Sequence, residues 1–294
     1  IFLLTLALHE TVCSLQEARK EELMKKTIDD VTQFHSVDQA TNPAFFPQFM
    51  DTSHAQLTAQ RYKGMMMEQL ALQEGATILD VGCGTGQDTL DLAQAVGPGG
   101  RVIGIDSSET MLQEARARAA NAQISAEYVL ADATRLPFAD ASFDGCRASR
   151  VLGHLREPEL AVAEMVRVAR PGAWIVAADA DMDLTVIELP DRALVRKMIH
   201  AACDQMQQGW IGRQMPRLFR QAKLSDIRIE GRMMQLDYAF FQLVFGGILQ
   251  HAQAAGVVSE EELTRFWNAL EQAGQEQSFF AGAGGFVVSG RKPL

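Results

Sequence analysis

Ile78-Leu79-Asp80-Val81-Gly82-Cys83-Gly84-Thr85-Gly86 is an apolar run that ends in an acid and then a turn with glycine at every second position. Leu90, Leu92, Ala93 and Val96 follow at roughly helical spacing. Strand, glycine turn and helix in that order open a doubly wound α/β fold that binds a nucleotide-type cofactor. Glycine is required where backbone turns tightly and a ligand lies directly against it. The spacing separates the candidate ligands. A dinucleotide fingerprint reads G-x-G-x-x-G, with a pyrophosphate at the helix N-terminus. Here the glycines read G-x-G-x-G and Asp80 precedes them. A carboxylate at that place repels phosphate and suits an ammonium group. The expected ligand is an adenosine carrying an amino acid, held through Asp80, Gly82, Gly84 and Gly86.

Two further strand tips fit the same ligand. Val102-Ile103-Gly104-Ile105-Asp106 is a second buried-strand pattern, ending in an acid that can accept both ribose hydroxyls. Asp106-Ser107-Ser108-Glu109 also resembles a helix-capping sequence, and the two roles are compatible. Tyr128-Val129-Leu130 is a third strand, followed by Ala131-Asp132-Ala133. Asp132 could accept from an adenine amino group, and the Ala133 N–H could donate to a ring nitrogen. Ser142-Phe143-Asp144 opens a fourth strand through Ser149, and Arg170-Pro171-Gly172-Ala173 turns into a fifth at Trp174–Ala178.

The chain resembles the class I S-adenosylmethionine-dependent methyltransferases. The matching segments are I-L-D-V-G-C-G-T-G at 78–86, V-I-G-I-D-S-S at 102–108, A-D-A-T-R-L-P-F at 131–138, S-F-D at 142–144 and R-P-G at 170–172. They are similar to the ubiquinone/menaquinone-biosynthesis type and its small-molecule relatives. The resemblance is strong over about residues 70–180 and weak outside. It implies a Rossmann-like α/β fold: a doubly wound, mostly parallel seven-stranded sheet with an antiparallel last strand. Residues 227–236 would form the sixth strand and 285–290 the seventh. It also implies S-adenosyl-L-methionine as cofactor, with Asp80 acting toward the methionyl ammonium, often through water. Ser107 joins Asp106 at the ribose. Met111 would pack on the adenine or in its helix core. Arg150 would line the methionyl end or pair with a surface acid.

Composition narrows the acceptor. A net charge of −10 over 294 residues opposes a nucleic-acid substrate, which wants a basic surface. Cys13, Cys83, Cys146 and Cys203 are scattered without metal-ligand spacing, as free thiols in a reducing compartment would be. The apolar stretch Ile1–Leu8 falls well short of the ~20 residues that span a bilayer. No stable membrane insertion is expected, and a cytoplasmic location is. A homodimer is left open by the sequence.

Residues 1–72 read as an N-terminal helical cap and 73–294 as the cofactor-binding domain, with helical insertions at about 181–223 and 238–280. Within the cap, 14–33 and 51–72 are helix-prone, and Asn42-Pro43 and Phe46-Pro47 interrupt them. Met65, Met66 and Met67 read as core filler. Ser259 and Glu262 form a capping box for a last helix.

Methyl transfer from a sulfonium is an in-line displacement in which the protein mainly aligns the acceptor and excludes water. His154, after the fourth strand on the ligand-facing edge, is the candidate catalytic residue, as base or substrate contact; a turn-capping role is the alternative. His35 and His54 are weaker candidates, and His200 and His251 fit helix faces. Asp179, Asp181 and Asp183 alternate as metal ligands can, but an acidic loop is the preferred reading and no metal is expected. Trp210 and Arg213 would form either an acceptor wall or an anchor for the insertion. The function read from these residues is methyl transfer to oxygen or carbon of a small, largely apolar molecule. The rivals are a methyltransferase-fold enzyme that binds the cofactor without methyl transfer, as in a cyclisation, an NAD(P)-dependent oxidoreductase, and a macromolecule methylase.

Overall fold

The computed structural model describes residues 29–294. The readings made for Ile1–Leu8, Cys13 and most of the 14–33 stretch lie outside the described residues.

Seven strands form one sheet in the order β3-β2-β1-β4-β5-β7-β6. They are β1 Thr77–Val81, β2 Arg101–Asp106, β3 Glu127–Leu130, β4 Phe143–Ser149, β5 Ala169–Ile187, β6 Ser225–Leu236 and β7 Ala281–Arg291. β7 runs antiparallel to both β5 and β6, and the other pairs are parallel. Parallel strands need crossovers, and these lay helices on both faces. That is why Ile78, Leu79 and Val81 form an unbroken apolar run rather than an alternating one; all are buried.

The crossover helices are α3 Gln87–Val96, α4 Glu109–Ala122 and α5 Pro158–Val168. One sheet face packs Leu136, Phe143, Val162, Met165 and Phe219. The other packs Met66, Leu70, Leu92, Val96 and Val102. Met66, from the N-terminal cap, is fully buried there, so the methionine run contributes core.

Ahead of β1 come a 3-10 segment at Val31–Gln39 and two helices, α1 Phe45–Ala55 and α2 Leu57–Leu70. Phe46-Pro47 does not break the chain as expected. Pro47 is in the first turn of α1, where a missing N–H costs nothing.

The first insertion also starts later than its pattern suggested. β5 continues past Ala178 to Ile187 because β7 offers partners as far as Ala281, with a register shift between Asp181 and Thr185. Helices α6 Arg192–Gln205 and α7 Ile211–Gln221 follow, and α8 Tyr238–Ala254 and α9 Glu260–Gln275 fill the second insertion. Asp191, Asp237 and Ser259 cap three of these helices, the last with the full reciprocal box to Glu262. α6, α8 and α9 bury Met198, Phe241, Phe245, Phe266 and Leu270 in a separate apolar cluster beside the sheet. No described helix is long and apolar enough to cross a membrane.

Candidate functional site

A cavity of about 600 Å³ opens at the C-terminal tips of the parallel strands. That is within the usual ~300–1,000 Å³ of a small-molecule site, and it lies where open α/β sheets take their ligands. Gly82, Gly84, Asp106, Ser107, Met111, Asp132, Ala133, Arg150 and His154 all line it. Asp80 and Gly86 do not line it.

The polar lining is built by loop geometry. Gly82 and Gly84 sit at φ +63° and +54°, which admits a flat backbone turn without strain. A side chain on Gly82 would collide with Val151, and one on Gly84 with Met50 of α1. The Gly84 N–H donates to Asp106 Oδ2 at 2.9 Å, and the Ser108 N–H to Oδ1 at 3.0 Å. Each carboxylate oxygen keeps a lone pair for a hydroxyl donor. Burial pushes the Asp106 pKa up, against the pull of those N–H groups. Asp132 is more exposed; its Oδ1 accepts from Thr134 N and Oγ1, each at 2.8 Å.

Asp80 belongs to a different structure. It stands in register with Arg147 on β4, so both side chains leave the same sheet face. Its Oδ2 accepts from Thr89 Oγ1 at 2.7 Å, and its Oδ1 lies 3.5 Å from Arg147 Nε. Burial raises its pKa to about 6 despite Arg147. Asp88 continues the chain, 2.8 Å from Arg147 and 2.7 Å from Lys63, and these cations hold its carboxyl well below the usual range. Lys63 Nζ is 2.7 Å from His54 Nδ1. Asp80, expected to act toward an ammonium, often through water, therefore anchors a buried ion network between β1, β4, α2 and α3. Gly86, at φ +78°, starts α3 and packs against Tyr128 and Ala115.

His154 closes a short 3-10 turn at Leu152–His154, and its ring lies 5.3 Å from that of Phe34. Its Nδ1 is buried without a hydrogen-bond partner. Burial, then Arg150 and His35, lower its pKa to about 4, so the imidazole is neutral near pH 7. Arg150 takes left-handed backbone at φ +57°; its N–H donates to Ala178 O at 2.7 Å and its Nη1 to Ser53 Oγ.

The rest of the wall joins the apolar second insertion to Phe34 and Phe49 of the cap, which local pattern did not single out. Phe34, Phe49, Met182, Leu236, Phe240 and Phe245 make the apolar lining. Phe49 and Phe240 stack with centroids 6.1 Å apart. Asp179 is also at the wall, with its carboxylate accepting from the Gly153 and Ala180 N–H groups and its pKa raised to about 6 by burial. His35 lines the cavity too, and His54 a smaller neighbouring pocket.

Trp210 and Arg213 do not line the cavity. The Arg213 guanidinium lies 5.1 Å from the half-exposed Trp210 ring and forks onto Asp181, with both contacts at 2.5 Å. Asp181 is thereby spent on an ion pair, and Asp183 lies 3.6 Å from the same arginine. No metal-holding cluster of His, Cys, Asp or Glu occurs among the described residues.

Residues 79–177 match a family described as a methyltransferase domain. Demethylmenaquinone methyltransferase of Desulfitobacterium hafniense is 39% identical over 115 residues, covering 38% of this chain and 46% of that protein. Residues 79–177 form a methyltransferase domain, and over this stretch the chain is similar to the class I S-adenosylmethionine-dependent methyltransferases. An uncharacterised 37.1 kDa transposon protein of Streptomyces fradiae is 43% identical over 161 residues, 54% of this chain and 46% of that one. The chain thus spans about half the length of the curated relatives it matches. Its fold is that of the YcgJ protein of Bacillus subtilis, with a TM-score of 0.58 at 17% identity, covering 80% of this chain and 99% of that one.

S-adenosylmethionine is the cofactor of this family, and the donor set fits it. Asp106, with hydroxyl-accepting capacity left over, faces the cavity beside the glycine turn, and Asp132 and Ala133 face it from the next strand tip.

Proposed function

We propose that this chain transfers a methyl group from S-adenosylmethionine to an oxygen or carbon of a small, largely apolar molecule. The observation that carries the reading is a single cavity with two unlike kinds of lining: strand-tip carboxylates and glycines, and the phenylalanines Phe34, Phe49, Phe240 and Phe245. When bound, the cofactor supplies a methyl carbon already activated by a sulfonium. The chain's own residues then have little bond chemistry left to do. Asp106 and Ser107 would hold the ribose, Asp132 and the Ala133 N–H the adenine, and Gly82 and Gly84 would let backbone lie against the aminoacyl part. Met111 would pack on the adenine, and Arg150 would border the aminoacyl end. The phenylalanines would exclude water and orient the acceptor.

His154 would accept a hydrogen bond from the acceptor at its free Nδ1. An imidazole with a pKa near about 4 is a weak base. It orients a hydroxyl and takes its proton as the methyl arrives, rather than ionising it beforehand.

The test is product analysis with methyl-labelled S-adenosylmethionine and a panel of apolar alcohols, phenols and activated carbon acids. Label in an extracted product supports the reading; turnover of an acceptor with all label retained on the cofactor means that the fold serves another reaction, such as a cyclisation. Calorimetry divides the roles. Asp106→Ala should weaken cofactor binding about 10- to 100-fold, the scale of lost hydrogen bonds to a charged group. His154→Ala should leave that affinity nearly unchanged while slowing transfer. Equal losses of affinity in both variants would refute the division.

A further inference from the structure

β6 closes one side of the sheet. β7 pairs with one of its edges, and no described strand pairs with the other. Nine of the twelve residues of β6 are exposed. Its register against β7 is unbroken from Arg228 to Leu236; the one irregularity lies between Ser225 and Arg228, where Asp226 takes φ +49°. Protein edges are ordinarily blunted by proline, lysine, bulges or short length. Here the bulge protects only the start of the strand. Residues 228–234, Arg-Ile-Glu-Gly-Arg-Met-Met, contain neither proline nor lysine. Ile229 is 44% exposed and Met233 53%.

We propose that this edge pairs antiparallel with β6 of a second copy of the chain, about a twofold axis at Gly231. Residues equally far from the axis then face each other. Glu230 faces Arg232 of the second copy, and symmetry repeats the pair. Ile229 faces Met233 of the second copy, also twice, so the two exposed apolar side chains cover each other. Gly231 faces itself and puts no side chain on the axis.

The charges favour this register over its two neighbours, and it is the one that sets Glu230 against Arg232. An axis one residue earlier sets Glu230 against itself and Arg228 against Arg232. An axis one residue later sets Arg232 against itself. Like charges directly opposite are destabilising in a sheet. An axis at Ile229 would run the pairing into the bulge at Asp226. Within one copy, Arg232 Nη2 already lies 3.0 Å from Glu230 Oε2, and Gln69 Nε2 donates to Glu230 Oε1 at 3.1 Å. Pairing converts that exposed pair into an alternating quartet. The contact is shorter than the ~20–30 residues per side of a standard interface, so it dissociates on dilution.

Sedimentation velocity on the full chain over a concentration series tests this. Wild type shifts from monomer toward dimer as concentration rises. Glu230→Arg and Arg232→Glu each oppose like charges and remain monomeric. An equimolar mixture of those two variants forms a dimer, because one copy then presents two arginines and the other two glutamates. That rescue requires both variants to be folded, so it separates lost pairing from lost structure. A wild type that stays monomeric at its highest soluble concentration overturns the proposal. So does a dimer that survives in both single variants, or a mixture that stays monomeric.

Discussion

His154 and Asp179 show how burial gives single residues opposite pH behaviour. The His154 pKa is lowered to about 4 by burial, then by Arg150 and His35. Against a free value near 6.5, the unfolded chain binds more protons between pH 6.5 and 4, so stability falls as pH drops through that window. His154→Phe should flatten the loss in urea-denaturation midpoints between those pH values. Asp179 has the other sign. Its pKa rises to about 6, so the folded chain keeps a proton that the unfolded chain has released between about pH 4 and 6. That carboxyl favours the acidic side, and its stabilising share is lost as pH rises through 6. Asp88 is held ionised by Arg147 and Lys63. Asp88→Asn would leave the fully buried Arg147 with Asp80, 3.5 Å away, as its remaining carboxylate partner. A cost of about 3–5 kcal/mol is expected in denaturant unfolding. None of these environments is readable locally, since Asp88 and Arg147 are 59 positions apart.

At the scale of elements, one carboxylate ties the N-terminal cap to the loop after β2 that lines the cavity. Asp38 accepts from Ser108 Oγ at 2.6 Å, the Glu109 N–H at 2.9 Å and the Thr110 N–H at 3.1 Å. These are orphan donors at the start of α4, where a negative charge also meets the helix dipole favourably. Asp38→Ala should cost roughly 1 kcal/mol in thermal or urea unfolding, as loss of an N-cap does. It should also weaken cofactor binding, because Ser108 shares that turn with Asp106. A second tie joins the cap to α8. His251 Nδ1 lies 3.1 Å from Asp30 Oδ2, and contact with Asp30 raises the histidine pKa. The tie is complete below the free histidine value and is lost as pH rises through the raised one. Hydrogen-exchange protection factors of residues 31–40, corrected for the intrinsic rate, should therefore fall from pH 6 to 8 in wild type and much less in His251→Gln. Helix starts such as Ser259 with Glu262 were legible in sequence because capping is local. The extension of β5 to Ile187 was not, because only pairing with β7 holds it extended.

For the whole molecule, the strand tips supply the carboxylates and glycines of the cavity wall, and the cap and second insertion supply its phenylalanines. Phe241 is fully buried among Phe245, Phe266 and Trp267 in the insertion cluster. Phe241→Ala should cost about 3–5 kcal/mol by calorimetric or denaturant unfolding. Loss of acceptor use before loss of cofactor affinity would show that the two linings respond separately. The sequence alone determined the doubly wound sheet, the strand tips at Asp106 and Asp132 and the glycine turn, because runs, turns and caps are set by neighbours a few residues apart. Tertiary structure alone decided that Asp80 turns toward Arg147 rather than into the cavity, and that Phe34, Phe49, Phe240 and Phe245 converge on His154's cavity. Those outcomes depend on which faces meet across the fold, and no short window of residues carries that information.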